Sequence, residues 1–367
     1  MQPDWHVGVV APDYARDALR PFFRTVVPLP SAPGEAERVA THPRRVLSAW
    51  ASRTGPLLDI LTALQPRVVH TTGDFFVDVL PSARLRRRAG SRWSGVVHHL
   101  NAPPLRRRNE LVASTASYVL QRVSLRAMRR SCDAVSLLNT TTLEELAALG
   151  FRRDRLHVVG AGIDAGRFRL VPEPPPGRRI LWVHRLEPTK GVADLPKLAA
   201  LLPGAQFDVV GRGPQHWQSA LERDLAAAGV ASRVRLHGFV GDDELLALYA
   251  AANAFVSCSY EEGFGISLCE ALASGVPCVA YGLPSHAEIF GDLVACVPPG
   301  DVEALARRIE AVLASTGGDA ARARRSAGVA RHSFVAVAER QAQIFAKLLA
   351  DAGGGVSGSS AGSSTPA

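Results

Sequence analysis

The sequence predicts an α/β protein made of two doubly wound domains, each a parallel sheet with helices on both faces. Three observations carry this. Beyond residue 178, short apolar runs alternate with helical stretches in the βαβα rhythm that a parallel sheet with crossover helices requires. The first half repeats that rhythm less regularly. The length, 367 residues, fits two ordinary domains, and 47% hydrophobic against 21% charged residues is a normal globular balance with ample core.

In chain order, "HVGVVAP" (6–12), "PRVVHTTG" (66–73) and "GVVHHL" (95–100) read as strands, with helices near 46–64, 110–131 and 141–149. "VPEPPPGRR" (171–179) cannot continue a helix and reads as an interdomain linker. "RRILWVHR" is a buried parallel strand and "GVADLPKLAALL" the helix after it. "AQFDVVG" is the next strand, followed by a helix over 214–228. "RVRLHGFV" is again a strand, and "DDELLALYAAAN" a helix with acids in its first turn, where the macrodipole favours them. "AFVSCS", "PCVAYG" and "LVACVPPG" are further strands, and "DVEALARRIEAVLAST" is an amphipathic helix. A last helix covers about 334–350. The Gly/Ser-rich 351–367 is expected to be disordered. The expected domains are therefore 1–170, 171–333 and a returning helix 334–350.

Composition excludes several classes. No apolar run reaches the length of a membrane span, and "MQPDWHVGVV" lacks the basic start and cleavage site of a signal peptide. Five cysteines (Cys132, Cys258, Cys269, Cys278, Cys296) form no C-x-x-C pair, so they read as reduced core thiols of a cytoplasmic protein, without zinc-ligand spacing. The net charge of +8 is uneven. Residues 1–170 carry 25 Lys+Arg and 14 Asp+Glu, a net +11, whereas residues 171–367 carry 17 and 20, a net −3. The basic half contains "RLRRR" (84–88) and "LRRR" (105–108). These runs are either solvated surface or a surface that attracts an anionic substrate or bilayer headgroups. Nucleic acid is disfavoured, because aromatics hardly interleave them and no reader motif accompanies them.

Four stretches carry chemistry. "VVGAGIDA" (158–165) matches a dinucleotide fingerprint, but the proline-rich sequence after it cannot form the long helix that fingerprint needs. "VVGRGP" (209–214) reads as a tight strand-to-helix turn. In "VHRLEPTKGV", Arg185 ends a strand and Lys190 follows five residues on, one of only three lysines in an Arg-rich chain. A compact ammonium and a guanidinium at the carboxyl end of a doubly wound strand suit a diphosphate. In "EEGFGISLCE", glycines at 263 and 265 let backbone approach a ligand, and the helix opening near Ile266 offers its free N–H groups to an anion. Glu262 belongs to the loop and Glu270 to the first helical turns, about 80° off a common face, so they are not a stacked acid pair. The plain alternative for Glu270 is a Ser-x-x-Glu capping box with Ser267 as N-cap.

"EEGFGISLCEALASGVPCVA" resembles the E-x7-E signature of retaining GT-B glycosyltransferases of family 4. "VHRLEPTKGV" is similar to that family's R-L-x-x-x-K-G segment, and "VVGAGIDAGRF" to its interdomain N-G-V-D-x-x-x-F. "GRGP", "HGFV" and "VPPGDVEALARRI" fall in the same order and spacing. The resemblance is strong over 156–316 and weak before that. It implies two Rossmann-like domains facing across a cleft, with a nucleoside-diphosphate sugar on the C-terminal domain and a hydroxyl acceptor on the N-terminal one. By the resemblance Arg185 and Lys190 bind the diphosphate, Glu262 the transferred sugar, the Ile266 and Ser267 amides a phosphate, and Glu270 the ribose. The Gly263, Phe264 and Gly265 backbone completes the donor loop, and Val240 lies against the base. In "GVVHHL", His98 rather than His99 aligns with the family's strand-end histidine at the reacting centre, and adjacent strand residues point to opposite faces. Neither a metal nor a further cofactor is implied.

Three departures stand out: no glycine follows Gly8 where the family often has a glycine-rich phosphate loop, His184 replaces a common glycine, and Ala161 a common asparagine. The acceptor expected is either a small soluble molecule or a cell-envelope glycan or lipid, with peripheral contact to an anionic membrane in the second case. A non-catalytic nucleotide-sugar or carbohydrate binder, and a sugar phosphorylase, are the alternatives on this fold.

Overall fold

The computed structural model describes residues 5–12, 15–21, 23–29, 43–74, 76–104, 111–315 and 318–353. The N-terminal half holds two parallel sheets. One pairs β1 (Gly8–Pro12) with β2 (Thr25–Leu29), and the other runs β3 (Val68–Thr71), β4 (Arg92–Val97), β5 (Ala134–Leu137), β6 (Leu156–Val158) in order. Helices α1 (Arg16–Leu19), α2 (Pro43–Leu64), α3 (Phe76–Ala89), α4 (Leu111–Ser131) and α5 (Thr140–Ala148) connect them. Trp93, Val97, Met128, Val135, Leu137 and Leu146 are buried together at the centre.

The C-terminal half is one six-stranded parallel sheet in the order β12-β11-β10-β7-β8-β9. Its strands are β7 (Arg179–Val183), β8 (Gln206–Val210), β9 (Val234–Gly238), β10 (Ala254–Ser257), β11 (Cys278–Tyr281) and β12 (Val294–Val297). Between them run α6 (Leu195–Leu201), α7 (Gln215–Ala227), α8 (Asp242–Ala251), α9 (Ile266–Ala273) and α10 (Pro284–Phe290), with α11 (Val302–Ala314) and α12 (Gly318–Val329) after β12. β10 and β11 are buried along their whole length, as strands covered on both faces must be. Two hydrophobic layers cover the sheet, one around Trp182, Phe207 and Tyr281, the other around Tyr249, Phe255 and Phe264. Strand order reverses between β7 and β10. In such sheets the loops leaving the two strands diverge there and open a ligand crevice.

The strands and helices expected beyond residue 178 are all present within a few residues. The first half yielded less, and β2, β5 and α3 went unread. α3 opens with no polar cap in the sequence, and no glycine or proline marks where α4 ends and β5 begins. The "RLRRR" run lies on α3, where Arg86 donates two bonds to Asp133, at 2.7 and 3.0 Å, and so is not a free surface cation. The 105–108 run lies outside the described residues. Of the five cysteines, expected as core thiols, four are buried and Cys296 is exposed.

The crossing between the halves is not at 171–179. Ile163 and Phe168 already belong to the C-terminal core, and Arg322 donates to the carbonyls of Val171 and Pro172. The proline-rich stretch is pinned to the C-terminal domain, and the chain crosses at about 159–163. There the Ile163 N–H donates to the His332 carbonyl (2.8 Å) and the Phe334 N–H to the Ile163 carbonyl (2.9 Å), which ties the outgoing and returning crossings together. "VVGAGIDA" is therefore a crossing segment and opens no helix.

The last helix, α13 (Phe334–Gly353), returns to the N-terminal sheet as expected. Ile344 and Leu348 pack with Ala134 and Val159, and Ser136 donates to Gln341 at 2.7 Å. Its final carbonyls at Leu349 and Asp351 accept from Arg67 and Arg92 of the N-terminal domain, which carries it past the expected 350. Residues 354–367 of the expected tail lie outside the described residues. Among the described residues no helix is long and apolar enough to cross a membrane.

Candidate functional site

The crevice at the β7/β10 reversal is lined by the loops that follow those two strands, and Lys190, Glu262 and the start of α9 meet there. Lys190 ends a short turn of 3-10 helix (Pro188–Lys190) after β7. Its ammonium donates to Glu262 Oε1 at 2.7 Å and to the Glu261 carbonyl at 2.9 Å. Glu262 comes from the loop after β10, and the same oxygen accepts from Ser259 Oγ at 2.8 Å. Both members of the ion pair are largely buried, with side chains 14% and 13% exposed. Burial pushes the Glu262 carboxyl up, but the Lys190 charge and the bonds from Lys190 and Ser259 outweigh it, and the net shift is downward. His184 stands 3.7 Å from the same oxygen. Burial lowers its imidazole to about 3, so it is neutral at pH 7, and Lys190 is the charge that keeps Glu262 ionised.

Arg185 leaves the end of β7 on the solvent side, 74% exposed, and meets Glu187 at 3.0 Å. The two cations thus differ. Lys190 is fixed and largely buried, while Arg185 is exposed and paired with Glu187 in its own loop.

The loop from Glu262 runs through Gly263, Phe264 and Gly265 into α9. Gly265 is the N-cap, at φ 93°, and no side chain caps the helix. Ser267 therefore is not the N-cap, and the capping-box alternative for Glu270 does not hold. With Gly265 in the left-handed region the helix starts two residues earlier than that motif needs. The amides of Ile266 and Ser267 lie in the uncapped first turn, the usual place for anion contacts. Ile266 is 50% exposed there, whereas the Phe264 ring is buried against Phe290 and His332. From this loop a ligand meets backbone, not the Phe264 side chain.

Glu270 instead accepts from the Tyr249 hydroxyl at 2.9 Å. Burial raises its carboxyl to about 7, against the bond from Tyr249, which lowers it. Val240 is turned into the core at 8% exposure. The exposed member of that segment is its neighbour Phe239, 70% exposed, with the Arg212 guanidinium 5.5 Å from the ring centroid. The "GRG" turn that carries Arg212 is a packing device. A Cβ on Gly211 would lie 1.8 Å from the His184 carbonyl oxygen, so only glycine lets β8 end against β7.

The N-terminal domain closes the other side. His98 lies one residue beyond β4, exposed, with Nε2 donating to the Thr72 carbonyl at 2.9 Å. Its backbone carbonyl faces Gly263: a Cβ there would come within 2.2 Å of it. His98 and the Glu262–Gly263 loop are therefore brought together, as the motif spacing alone could not show. Asp74, after β3, accepts from Gln121 at 2.7 Å, and burial raises its carboxyl despite that bond and the neighbouring His98 and His99. The Gln121 amide also donates to the His99 carbonyl at 2.8 Å. Ser259, Tyr249 and Asp74 went unread in the sequence.

Residues 169–328 match the family model described as glycosyl transferases group 1. Among curated proteins, the O-antigen chain mannosyltransferase B of Escherichia coli is 33% identical over 133 residues, 35% of either chain. A glycogen synthase of Mycobacterium tuberculosis is 32% identical over 231 residues, 59% of this chain and 54% of that one. The chain thus matches about a third to a half of the length of these relatives. Among solved structures, the Anabaena protein HepE in complex with UDP and glucose superimposes with a TM-score of 0.74 at 19% identity, covering 93% of this chain and 91% of that one. The fold is GT-B, two Rossmann-like domains across a cleft.

Proposed function

We propose that this chain, which carries a domain of the glycosyl transferases group 1 family at residues 169–328, moves a sugar from a nucleoside-diphosphate sugar to an acceptor hydroxyl. In this reading the anomeric configuration is retained and no metal ion is needed. The observation that supports it best is the buried Lys190–Glu262 pair beside the uncapped start of α9, facing His98 across the cleft.

The reaction must neutralise the diphosphate as its bond to the sugar breaks. Lys190, Arg185 and the amides of Ile266 and Ser267 supply positive potential there, preorganised in a site from which closure excludes water. Glu262 is held through Oε1 by Lys190 and Ser259, which leaves Oε2 to accept from a hydroxyl of the transferred sugar. A carboxylate so engaged is a sugar-binding group rather than a covalent nucleophile. We assign the acceptor hydroxyl to attack from the face the diphosphate leaves, with His98 beside the reacting carbon. Glu270 takes the ribose hydroxyls, and Phe239 with Arg212 offers the base a flat cationic neighbour.

The acceptor is either a small soluble molecule or a cell-envelope glycan or lipid. Flotation with anionic vesicles separates the two, since an enzyme with a soluble acceptor stays in the supernatant at physiological salt. The reaction itself is tested by incubating the chain with UDP-, GDP-, ADP- and dTDP-sugars and an acceptor panel in the presence of EDTA, and reading the anomer by NMR. Transfer with retention supports the reading. An inverted product, or transfer abolished by EDTA and restored by metal, contradicts it.

A further inference from the structure

We infer that Asn139 and Glu288 are positioning residues forming an interdomain latch, which holds the N-terminal domain on the Glu262–Gly265 loop and so places His98 at the donor sugar. The inference rests on the proposed function only for what the loop binds.

Asn139 follows β5 and caps α5. Its Oδ1 accepts from the Thr142 N–H at 2.7 Å, as an N-cap does. Its Nδ2 points the other way and donates to the Gly263 carbonyl at 2.5 Å, across the domain boundary. The residue is 2% exposed, so both ends of its amide are committed inside the interface. The carbonyl it holds belongs to the glycine packed against His98 and Leu138. One side chain thus fixes the helix of one domain and the donor loop of the other.

Glu288, on α10 of the C-terminal domain, grips the same helix from outside. Its carboxylate accepts from the Thr140 N–H at 2.5 Å, the Thr141 N–H at 3.0 Å and the Thr141 hydroxyl at 3.2 Å. These donors are the free first-turn groups of α5, where the dipole adds to the attraction. Burial would raise the carboxyl, but those bonds outweigh it and keep it ionised. α10 is itself tied to the donor loop, since Ser285 Oγ donates to the Glu262 carbonyl at 3.0 Å. Beside the latch lies a cavity of about 200 Å³ walled by Leu138, Gly160, Glu288, His332 and Arg340. The interface there combines these polar contacts with Leu138, which packs against the C-terminal core, and the open cavity leaves it incompletely filled, an arrangement suited to opening and closing.

The test separates the latch from the cap. Asp is as good an N-cap as Asn but has no N–H to give, and its charge would face the Gly263 carbonyl. If Asn139 only caps α5, N139D behaves as wild type. The latch instead predicts that N139D loses about tenfold or more in kcat, in line with the cost of a small misplacement. Donor Kd stays within about threefold, because the donor contacts lie on the other domain. E288A loses about as much, and E288Q, which keeps one acceptor but no charge, loses less. Small-angle scattering of the full chain with saturating UDP-sugar should show a larger radius of gyration for N139D/E288A than for wild type. Wild-type kcat in N139D, or an unchanged radius in the double variant, overturns the latch. If the wild-type chain transfers no sugar at all, the proposed function fails, while scattering of the two free chains still decides the latch.

Discussion

The two domains use the same architecture to opposite ends. Both are parallel sheets whose functional groups sit past the carboxyl ends of the strands, as the fold dictates. On the C-terminal side those groups are paired and largely buried: Lys190 on Glu262, Tyr249 on Glu270, and an uncapped helix start between them. On the N-terminal side the cleft edge offers an exposed imidazole, His98, and a half-buried carboxyl, Asp74, that accepts from the Gln121 amide. The charge follows the same division, with +11 in the first 170 residues and −3 in the rest. A site that must stabilise developing charge on a diphosphate gains from fixed, desolvated groups. On the proposed function, the face that receives the acceptor needs fewer of them, and the N-terminal domain is the side on which acceptor choice would change without disturbing the donor chemistry.

The contrast breaks hardest at Lys190. K190A should lower transfer by about a hundredfold or more, roughly 3 kcal/mol of transition-state stabilisation. It should also lower the melting temperature, since a buried carboxylate that loses its partner costs about 3–5 kcal/mol. K190A/E262Q removes the stranded charge, so its melting temperature should recover while transfer stays lost. A double variant as unstable as K190A would show that the pair is not what holds the loop.

Gly263 tests the seam between the domains. The Cβ of G263A would meet the His98 carbonyl at 2.2 Å, so the two sides must separate. Steady-state kinetics should show kcat down about tenfold with donor KM nearly unchanged. A rise in donor KM alone would mean that the glycine serves the donor and not the seam.

Glu270 gives the smallest and most diagnostic effect. Burial raises its carboxyl to about 7 from the ordinary 4.5. The fold therefore favours the protonated form, and this group's contribution to stability is full below about pH 4.5 and is lost as pH rises through about 7. On the proposed assignment of Glu270 to the ribose, donor binding has the opposite sign, because the ionised form is the better acceptor for hydroxyls. Calorimetric donor affinity should tighten several-fold between about pH 6 and 8 in the wild type. E270Q should be weaker at pH 8 and flat across that range. A wild-type affinity that does not change with pH removes Glu270 from the ribose.

Much of the C-terminal half was legible in the sequence, because its strands are buried on both faces and appear as unbroken apolar runs between clear helix starts. Arg185, Lys190 and Glu262 could be singled out because they lie in the loops leaving two of those strands, and Glu270 because it lies on the helix the second loop leads into. The first half was harder for a physical reason. No glycine or proline separates β5 from the helix before it, α3 opens with no polar cap, and the basic runs hide which arginines are paired. The interdomain partners were illegible altogether: Asn139 and Gly263 are 124 residues apart, and no local pattern encodes their meeting. The proline-rich 171–179 misled because proline excludes a helix without saying which domain the extended chain packs on.

On the proposed function, the paired, desolvated crevice of the C-terminal domain holds a nucleoside-diphosphate sugar. A thermal-shift titration of the full chain with UDP-, GDP-, ADP- and dTDP-sugars tests it most directly, since a ligand that binds only the folded state raises the melting temperature by mass action. At least one donor should stabilise the wild-type chain in a saturable manner and fail to stabilise K190A/E262Q. No shift with any of them, or an equal shift in both proteins, would contradict it.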